Sequence, residues 1–140
     1  MKEVISIYNL AQIPTDSGDV MHGLKSTDNN FKGFGEIYFS WIFKNSIKGW
    51  KRHKKMTMNL IVPHGKVRFV FFNSKKEIYH QEIVGESNYS RITVPPGIWF
   101  GFQGLASTKS LVVNIADIIH DQKEVEKKSL DYFNFNWSKS

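Results

Sequence analysis

The sequence predicts an all-β fold, a jelly-roll sandwich or barrel, on the basis of three observations. Short runs rich in β-branched and aromatic residues recur along the chain, as strands require. Turn sequences such as PHGK, VGESN and PPG separate these runs. Before residue 120 the apolar residues show no sustained period of 3.6, so long amphipathic helices are not predicted there. Eight runs suit antiparallel sheets whose edges are closed or covered; we place the strands at residues 4–10, 35–43, 56–62, 66–72, 78–84, 90–94, 99–105 and 111–118.

The run KVRFVFF, residues 66–72, shows the strand period most clearly. Because successive side chains of a strand point to opposite faces, Val67, Phe69 and Phe71 share one face, and the residues between them share the other. Aromatic residues make up 14% of the chain, and many of them fall in strand runs. Most are therefore expected to pack in the core or in an interface.

Two segments lie outside this strand pattern. Residues 12–35 are polar and rich in glycine, which predicts a long loop or an N-terminal arm. The segment DQKEVEKKSLDYF, residues 121–133, predicts a short C-terminal helix, with Asp121 at its N-cap and apolar side chains from Val125 to Phe133 along one side.

Length and composition limit the possible classes of protein. A chain of 140 residues, 41% of them hydrophobic, fits one domain with its own core. We expect an N-terminal strand and arm over residues 1–34, a jelly-roll core over 35–120 and a tail over 121–140. No apolar run approaches the roughly 20 residues that span a bilayer, and no signal peptide is apparent, so a cytoplasmic protein with no membrane partner is expected. Cysteine is absent, and the net charge of +6 favours an anionic partner.

The basic stretch SIKGWKRHKK, residues 46–55, is the strongest candidate for a site. In an extended strand Lys51, His53 and Lys55 lie on one face. This spacing can aim one imidazole and two ammonium groups into the same cavity, as an anion-binding mouth with a potential base. An alternative interpretation is a solvated basic edge strand that resists aggregation through its lysines.

Two further patterns bear on metal binding. The sequence PPGIWF, residues 95–100, keeps the turn of a Pro-x-Gly-x-x-His motif, but Phe100 stands where the histidine would be. The companion His-x-His motif is reduced to Lys51-x-His53. Both motifs supply metal ligands in many cupins, and an aromatic carbon cannot ligate. We therefore expect no metal and no other cofactor.

Four segments together resemble the dTDP-4-dehydrorhamnose 3,5-epimerases, a branch of the cupin superfamily. They are IKGWKRHKK, PHGKVRFVFF, ITVPPGIWFGFQGL and LVVNIADIIHD, and the resemblance spans roughly residues 40–125. It implies a cupin-type jelly-roll homodimer that acts on a nucleotide-linked 4-keto-6-deoxyhexose in cell-surface polysaccharide synthesis. It also implies proton abstraction alpha to the ketone by a histidine that an aspartate orients, with a tyrosine as acid.

The resemblance places these roles unevenly on the chain. It implies that His53 is the base, displaced by two residues from the family position, which keeps its strand face. The second active-site histidine of the family falls on Phe100, and the catalytic tyrosine falls on Val113. Asp117 matches the acidic residue that closes that strand. Either a proton donor comes from elsewhere, for example from Tyr38 or Tyr79, or the reaction is narrower than 3,5-epimerisation.

The leading hypothesis is thus a metal-independent nucleotide-sugar epimerase or isomerase. His53 is its expected base, and the expected substrate-binding residues are cations for the diphosphate or the enolate, indoles for stacking and amides for sugar hydroxyls: Lys48, Lys51, Arg52, Lys55, Trp50, Trp99, Asn59 and Asn114. Two alternatives stay open. A non-catalytic nucleotide-sugar or carbohydrate-binding cupin would fit the lost tyrosine and histidine. Binding of single-stranded nucleic acid is disfavoured, because the aromatic residues lie mostly in apolar runs.

Overall fold

The computed structural model of the chain describes residues 5–73, 75 and 78–138, with twelve strands in the described part. Their bounds are β1 Ser6–Asn9, β2 Gln12–Ile13, β3 Val20–Met21, β4 Glu36–Phe43, β5 Ile47–His53, β6 Met58–His64, β7 Lys66–Phe72, β8 Ile78–Gly85, β9 Ser90–Val94, β10 Trp99–Gly104, β11 Lys109–Ala116 and β12 Val125–Lys127. Two five-stranded antiparallel sheets are present, in the orders β1-β9-β6-β11-β4 and β12-β5-β10-β7-β8. Strands β2 and β3 form a small separate ribbon. This arrangement confirms the predicted all-β jelly roll.

Each of the eight predicted runs contains a strand, and the basic stretch forms β5. The first residue of the first predicted strand, Val4, lies outside the described residues. The ribbon of β2 and β3 interrupts what the sequence indicated as a loop or arm, residues 12–35.

The core lies between the two large sheets, and strand alternation assigns residues to it as predicted. Val67, Phe69 and Phe71 of β7 are fully buried in this core together with residues of β6, β9 and β10. Val70 and Phe72 point to the opposite face and join a second apolar cluster on the outside of the same sheet. Period-two alternation therefore gives this sheet two buried faces.

The predicted C-terminal helix is wrong. Residues Gln122–Glu124 form a single 3-10 turn, and the chain then continues as β12, which pairs with β5. Asp121 does cap this turn, since its side chain accepts a hydrogen bond from the backbone N–H of Lys123. Pairing with the free edge of β5 gives these residues the ladder hydrogen bonds that a short isolated helix cannot match in stability.

Residues after β12 cover the outer face of the β5-β10-β7 sheet with aromatic side chains. Phe133 is buried and stacks on Phe72, with ring centroids 4.3 Å apart, and Trp50 packs edge-on against both rings. Phe133, Phe135 and Trp137 all belong to this outer cluster, although turns and bends replace the predicted helix and the backbone N–H of Phe135 donates to the carbonyl of Phe133. This packing fixes the C-terminal segment against the barrel.

Candidate active site

A cavity of about 200 Å³ opens between the two sheets. Its walls come from six strands of both sheets and from the connection between β11 and β12, with apolar side chains beside a few polar ones. The lining residues are Tyr38, Ser40, Lys48, Gly49, Lys51, His53, Met58, Leu60, Phe100, Phe102, Val112, Asn114, His120 and Val125. A mostly apolar pocket with a few convergent polar groups is the usual form of a small-molecule site.

His53 and Glu124 form a buried pair at the wall of this cavity. Nδ1 of His53 is hydrogen-bonded to Oε2 of Glu124, and both side chains are almost completely buried. The 3-10 turn and β12 bring Glu124 to β5, because Val125 lies opposite His53 in the ladder. A carboxylate on Nδ1 makes that nitrogen the donor and leaves Nε2 as the unprotonated nitrogen of the neutral ring. This is the tautomer that a general base needs.

The carboxylate of Glu124 is held in its charged form. Burial alone would raise its pKa, but the hydrogen bond to His53 and the bonds from the backbone N–H groups of Lys55 and Met56 outweigh burial, and the net effect lowers the pKa. The two backbone donors lie 2.9 Å and 3.0 Å from Oε1. Glu124 therefore stays ionised, and its hydrogen bond fixes the orientation of the imidazole ring of His53.

Tyr38 of β4 lies on the cavity wall together with His53. Its hydroxyl accepts a hydrogen bond of 3.0 Å from Nδ2 of Asn114. Burial raises the pKa of Tyr38; the bond from Asn114 acts in the opposite direction, and the charges of Glu36 and Glu124 add to the rise. The phenol is thus protonated near neutral pH and can donate a proton. The Oδ1 atom of Asn114 is buried without a partner in the described residues, so it can accept from a ligand.

The cavity rim is basic. Lys48, Lys51 and His120 are exposed lining residues. Partial burial lowers the pKa of Lys51, and the charges of Lys127 and Lys48 lower it further. Lys48 and Lys51 are three residues apart, so a regular strand would place them on opposite faces. They share the cavity because the ladder between β5 and β10 shifts register at this point.

Five of the predicted substrate-binding residues lie outside the cavity lining. Trp50 and Trp99 point to the outer face of the sheet and pack against Phe133. Arg52 lies on that face too, where it binds Glu126 at 2.8 Å and covers the ring of Trp99. The physical reason is strand alternation, since Trp50 and Arg52 are the immediate neighbours of the inward-facing Lys51 and His53.

The other two predicted residues outside the cavity are Lys55 and Asn59. The side chain of Lys55 is exposed beyond the end of β5. Asn59 points away from the core and is held between Thr93 and the backbone carbonyl of Asn30. Lys48, Lys51, His53 and Asn114 are the predicted residues that the cavity brings together.

The positions matched to the family also separate. Phe100 lines the cavity, and its ring stacks on His53 at a centroid distance of 6.0 Å. Val113 belongs to the cluster on the outer face of its sheet, so no residue at this position can reach the cavity. Asp117 accepts a hydrogen bond from the backbone N–H of Thr57. The acidic partner of His53 is thus Glu124, which the sequence analysis did not find.

Two negative observations apply to the described residues. No three histidine or acidic side chains there are grouped closely enough to hold a metal ion. None of the described segments forms a helix that is long and apolar enough to cross a membrane.

A comparison with solved structures identifies the family. The chain matches a dTDP sugar isomerase from Desulfovibrio desulfuricans G20 at 34% identity, over 97% of this chain and 92% of that one, with a TM-score of 0.90. The chain belongs to the dTDP-sugar isomerase family. The present chain is also similar in fold to a dTDP-4-dehydrorhamnose 3,5-epimerase from Sulfolobus tokodaii. The TM-score is 0.80, and the identity is 20% over 94% of the present chain and 80% of the epimerase chain.

Sequence comparison adds a curated relative of the present chain. The spore coat polysaccharide biosynthesis protein SpsL of Bacillus subtilis strain 168 is 19% identical, over 99% of this chain and 97% of its own length. No protein-family model matches. The resemblance predicted from the four sequence segments is confirmed, and the cavity described above is the candidate active site of this isomerase.

Proposed function

We propose that the protein isomerises a dTDP-linked 4-keto-6-deoxyhexose by moving a proton at a carbon alpha to the ketone. The observation that carries this proposal is the buried pair of His53 and Glu124 on the wall of a cavity that also presents the protonated phenol of Tyr38. Polysaccharide synthesis is the expected context, since SpsL, the curated relative, is a polysaccharide biosynthesis protein.

The residues divide the reaction into three tasks. Nε2 of His53 takes the proton from carbon, and the resulting imidazolium is stabilised by the carboxylate of Glu124. The ammonium groups of Lys48 and Lys51 at the rim bind the diphosphate, and their positive charge also favours the negative charge that develops on the ketone oxygen. Tyr38 returns a proton to the enolate, and Asn114 stabilises its phenolate by donation from Nδ2.

The size of the cavity suggests that it encloses only part of the substrate. A volume of about 200 Å³ is below the range of about 300–1,000 Å³ that encloses a whole drug-sized ligand. The reacting sugar would therefore enter the cavity, while the diphosphate lies at the rim beside Lys48 and Lys51. The nucleotide would remain outside.

One observation favours a single-centre reaction over epimerisation at two carbons. Phe100 replaces the second histidine of the 3,5-epimerases, and the cavity contains one buried histidine, His53, among its described lining residues. One base and one acid suffice for epimerisation at one carbon, or for migration of the ketone between C4 and C3 through an enediol. We favour these narrower outcomes over 3,5-epimerisation.

The deciding experiment is solvent exchange. The protein is incubated with dTDP-4-keto-6-deoxyglucose in D2O, and proton NMR follows deuterium at C3 and C5 and the products formed. We expect incorporation at C3, and loss of it in His53→Asn. The matched control is His64→Asn, an exposed histidine outside the cavity, which should exchange at the normal rate. Saturable binding of the sugar nucleotide without exchange at either carbon would replace this proposal by the non-catalytic alternative.

We also propose that the protein is a homodimer, as the family resemblance implies. Strand β4 is the edge of its sheet and carries a row of exposed apolar side chains, Ile37, Phe39, Trp41 and Phe43. Such a row on an edge strand is a liability in a monomer and suits burial against a second copy. Light scattering should give twice the chain mass, and Phe39→Lys should give monomers; a monomeric parent protein contradicts the proposal.

A further inference from the structure

A second pocket lies on the outer face of the β12-β5-β10-β7-β8 sheet, away from the candidate active site. Its volume is about 720 Å³. One row of the sheet forms its floor, because Ile47, Gln103, Arg68 and Ile83 lie opposite one another on β5, β10, β7 and β8. Trp137 of the C-terminal segment forms a wall. No part of the proposed reaction uses these residues.

Arg68 of this pocket is a buried cation that has no counter-ion among the described residues. Arg68 is 7% exposed, and its Nη1 donates a hydrogen bond of 2.9 Å to Oε1 of Gln81. Its Nε is buried without a partner, and within the described ranges no carboxylate lies in salt-bridge distance of the guanidinium. An unpaired buried charge is strongly unfavourable. Among the residues that the structure describes, the charge of Arg68 therefore stays uncompensated.

Two more polar atoms of the same pocket are buried without partners. They are Oε1 of Gln103, which is 6% exposed and pairs with Arg68 across the ladder, and Nε1 of Trp137. Native proteins leave few buried polar groups unsatisfied. Of the five such side-chain atoms among the described residues, three belong to residues that line this pocket. Two of them are donors and one is an acceptor, and Lys66 is a further lining residue of the pocket.

We propose that this pocket binds a small hydroxylated oxyanion, such as a sugar phosphate or a hydroxycarboxylate. Nε of Arg68 and Nε1 of Trp137 would donate to the oxyanion oxygens, and Lys66 would add a second positive charge. Oε1 of Gln103 would accept from a hydroxyl group of the same molecule. A ligand with both features satisfies each of the three unpartnered atoms and neutralises the buried cation.

The test is isothermal titration of the full chain with four probes: inorganic phosphate, glucose 6-phosphate, gluconate and glucose. We expect saturable binding of glucose 6-phosphate or gluconate, weaker binding of phosphate and none of glucose. Whether glucose 6-phosphate or gluconate binds more tightly identifies the kind of oxyanion, a phosphate or a carboxylate. His53→Asn should bind as the parent protein does, so that failure of this site and failure of the proposed catalysis are separate results.

Gln103→Glu is the decisive variant, because it places a carboxylate opposite Arg68. It should raise the thermal unfolding midpoint without ligand and weaken binding of the preferred probe at least about tenfold, because the new carboxylate neutralises Arg68 and repels the anion. Gln12→Glu, on the exposed ribbon strand β2, is the matched control and should change neither. Arg68→Met should also weaken binding of the probe. If Arg68→Met does not fold, Gln103→Glu alone still tests the proposal.

Two results would overturn the inference. One is no saturable heat with any probe up to about 10 mM, where even a millimolar site is mostly occupied. The other is binding that survives both Gln103→Glu and Arg68→Met with unchanged affinity, which would locate the ligand elsewhere.

Discussion

Replacing Glu124 by glutamine should remove the base function of His53 while the fold is kept. The oxygen Oε1 accepts from the two backbone N–H groups of Lys55 and Met56, and these donors will retain the amide oxygen of the glutamine. Its NH2 group must then face Nδ1 of His53 and donate to it. This reverses the tautomer, so that Nε2 carries the proton and has no lone pair for the substrate.

The magnitude follows from what the base contributes. General acid–base catalysis by a positioned side chain is typically worth about 10²–10⁴-fold. Glu124→Gln should therefore slow deuterium exchange by that factor, equivalent to about 3–5 kcal/mol of barrier. Two charge-assisted backbone hydrogen bonds become neutral ones, which lowers the free energy of unfolding by about 2 kcal/mol.

The assay is deuterium incorporation into dTDP-4-keto-6-deoxyglucose, together with imidazole 15N shifts that report which nitrogen is protonated. Glu126→Gln is the matched control, since this carboxylate lies two residues away and binds Arg52 on the outer face at 35% exposure. A partly exposed ion pair is worth about 1 kcal/mol or less, so exchange should be unaffected. An exchange rate in Glu124→Gln equal to that of the parent protein would refute the tautomer argument.

Four further predictions concern acid stability, the proton donor, the rim and one packing contact. Because the pKa of Glu124 is lowered on folding, its contribution to stability is present above the unfolded pKa of about 4.3 and is lost as the pH falls through the folded pKa; the stability gap between the parent protein and Glu124→Gln in urea titrations should therefore close in acid, and a constant gap would contradict this. Tyr38→Phe should keep exchange within about tenfold and lower product formation by about 10²-fold or more, as NMR of both signals will show; equal losses in the two signals would argue against a donor role. Lys51→Gln should raise KM about tenfold by removing one charged contact, and an unchanged KM would place the diphosphate elsewhere. Gly85→Ala should lower the unfolding free energy by about 1–3 kcal/mol, because its Cβ would lie 2.2 Å from the carbonyl oxygen of Gly65; an unchanged denaturation midpoint would show that the turn can shift.

The strand pattern could be predicted from the sequence because it depends on neighbouring residues, whose side chains alternate between the two faces of a sheet. KVRFVFF sends Phe69 and Phe71 inward and Phe72 outward, as its period of two requires. The same rule assigns His53 to the cavity and Trp50 to the outer face. Trp50 and Arg52, predicted to share one site with Lys51 and His53, lie on the other face of β5, as alternation requires.

The remaining features depend on contacts between distant parts of the chain. Glu124 is 71 residues from His53 in sequence, and nothing in the local pattern DQKEVEKK distinguishes it from the other acidic residues. Lys48 reaches the cavity through a register shift against β10, which depends on the partner strand. The C-terminal segment was predicted as a helix because its edge-strand partner and its aromatic contacts are not visible in one dimension.

The pairing of β12 with β5 has a consequence for how this fold can be diversified. Glu124 is carried by a short segment that follows β11, while its partner His53, the proposed base, belongs to the barrel itself. The two halves of the proposed catalytic pair can therefore be exchanged separately, by grafting a homologous stretch around residues 121–127 onto an unchanged barrel. A set of such chimaeras would tune proton transfer while the sugar pocket stays constant.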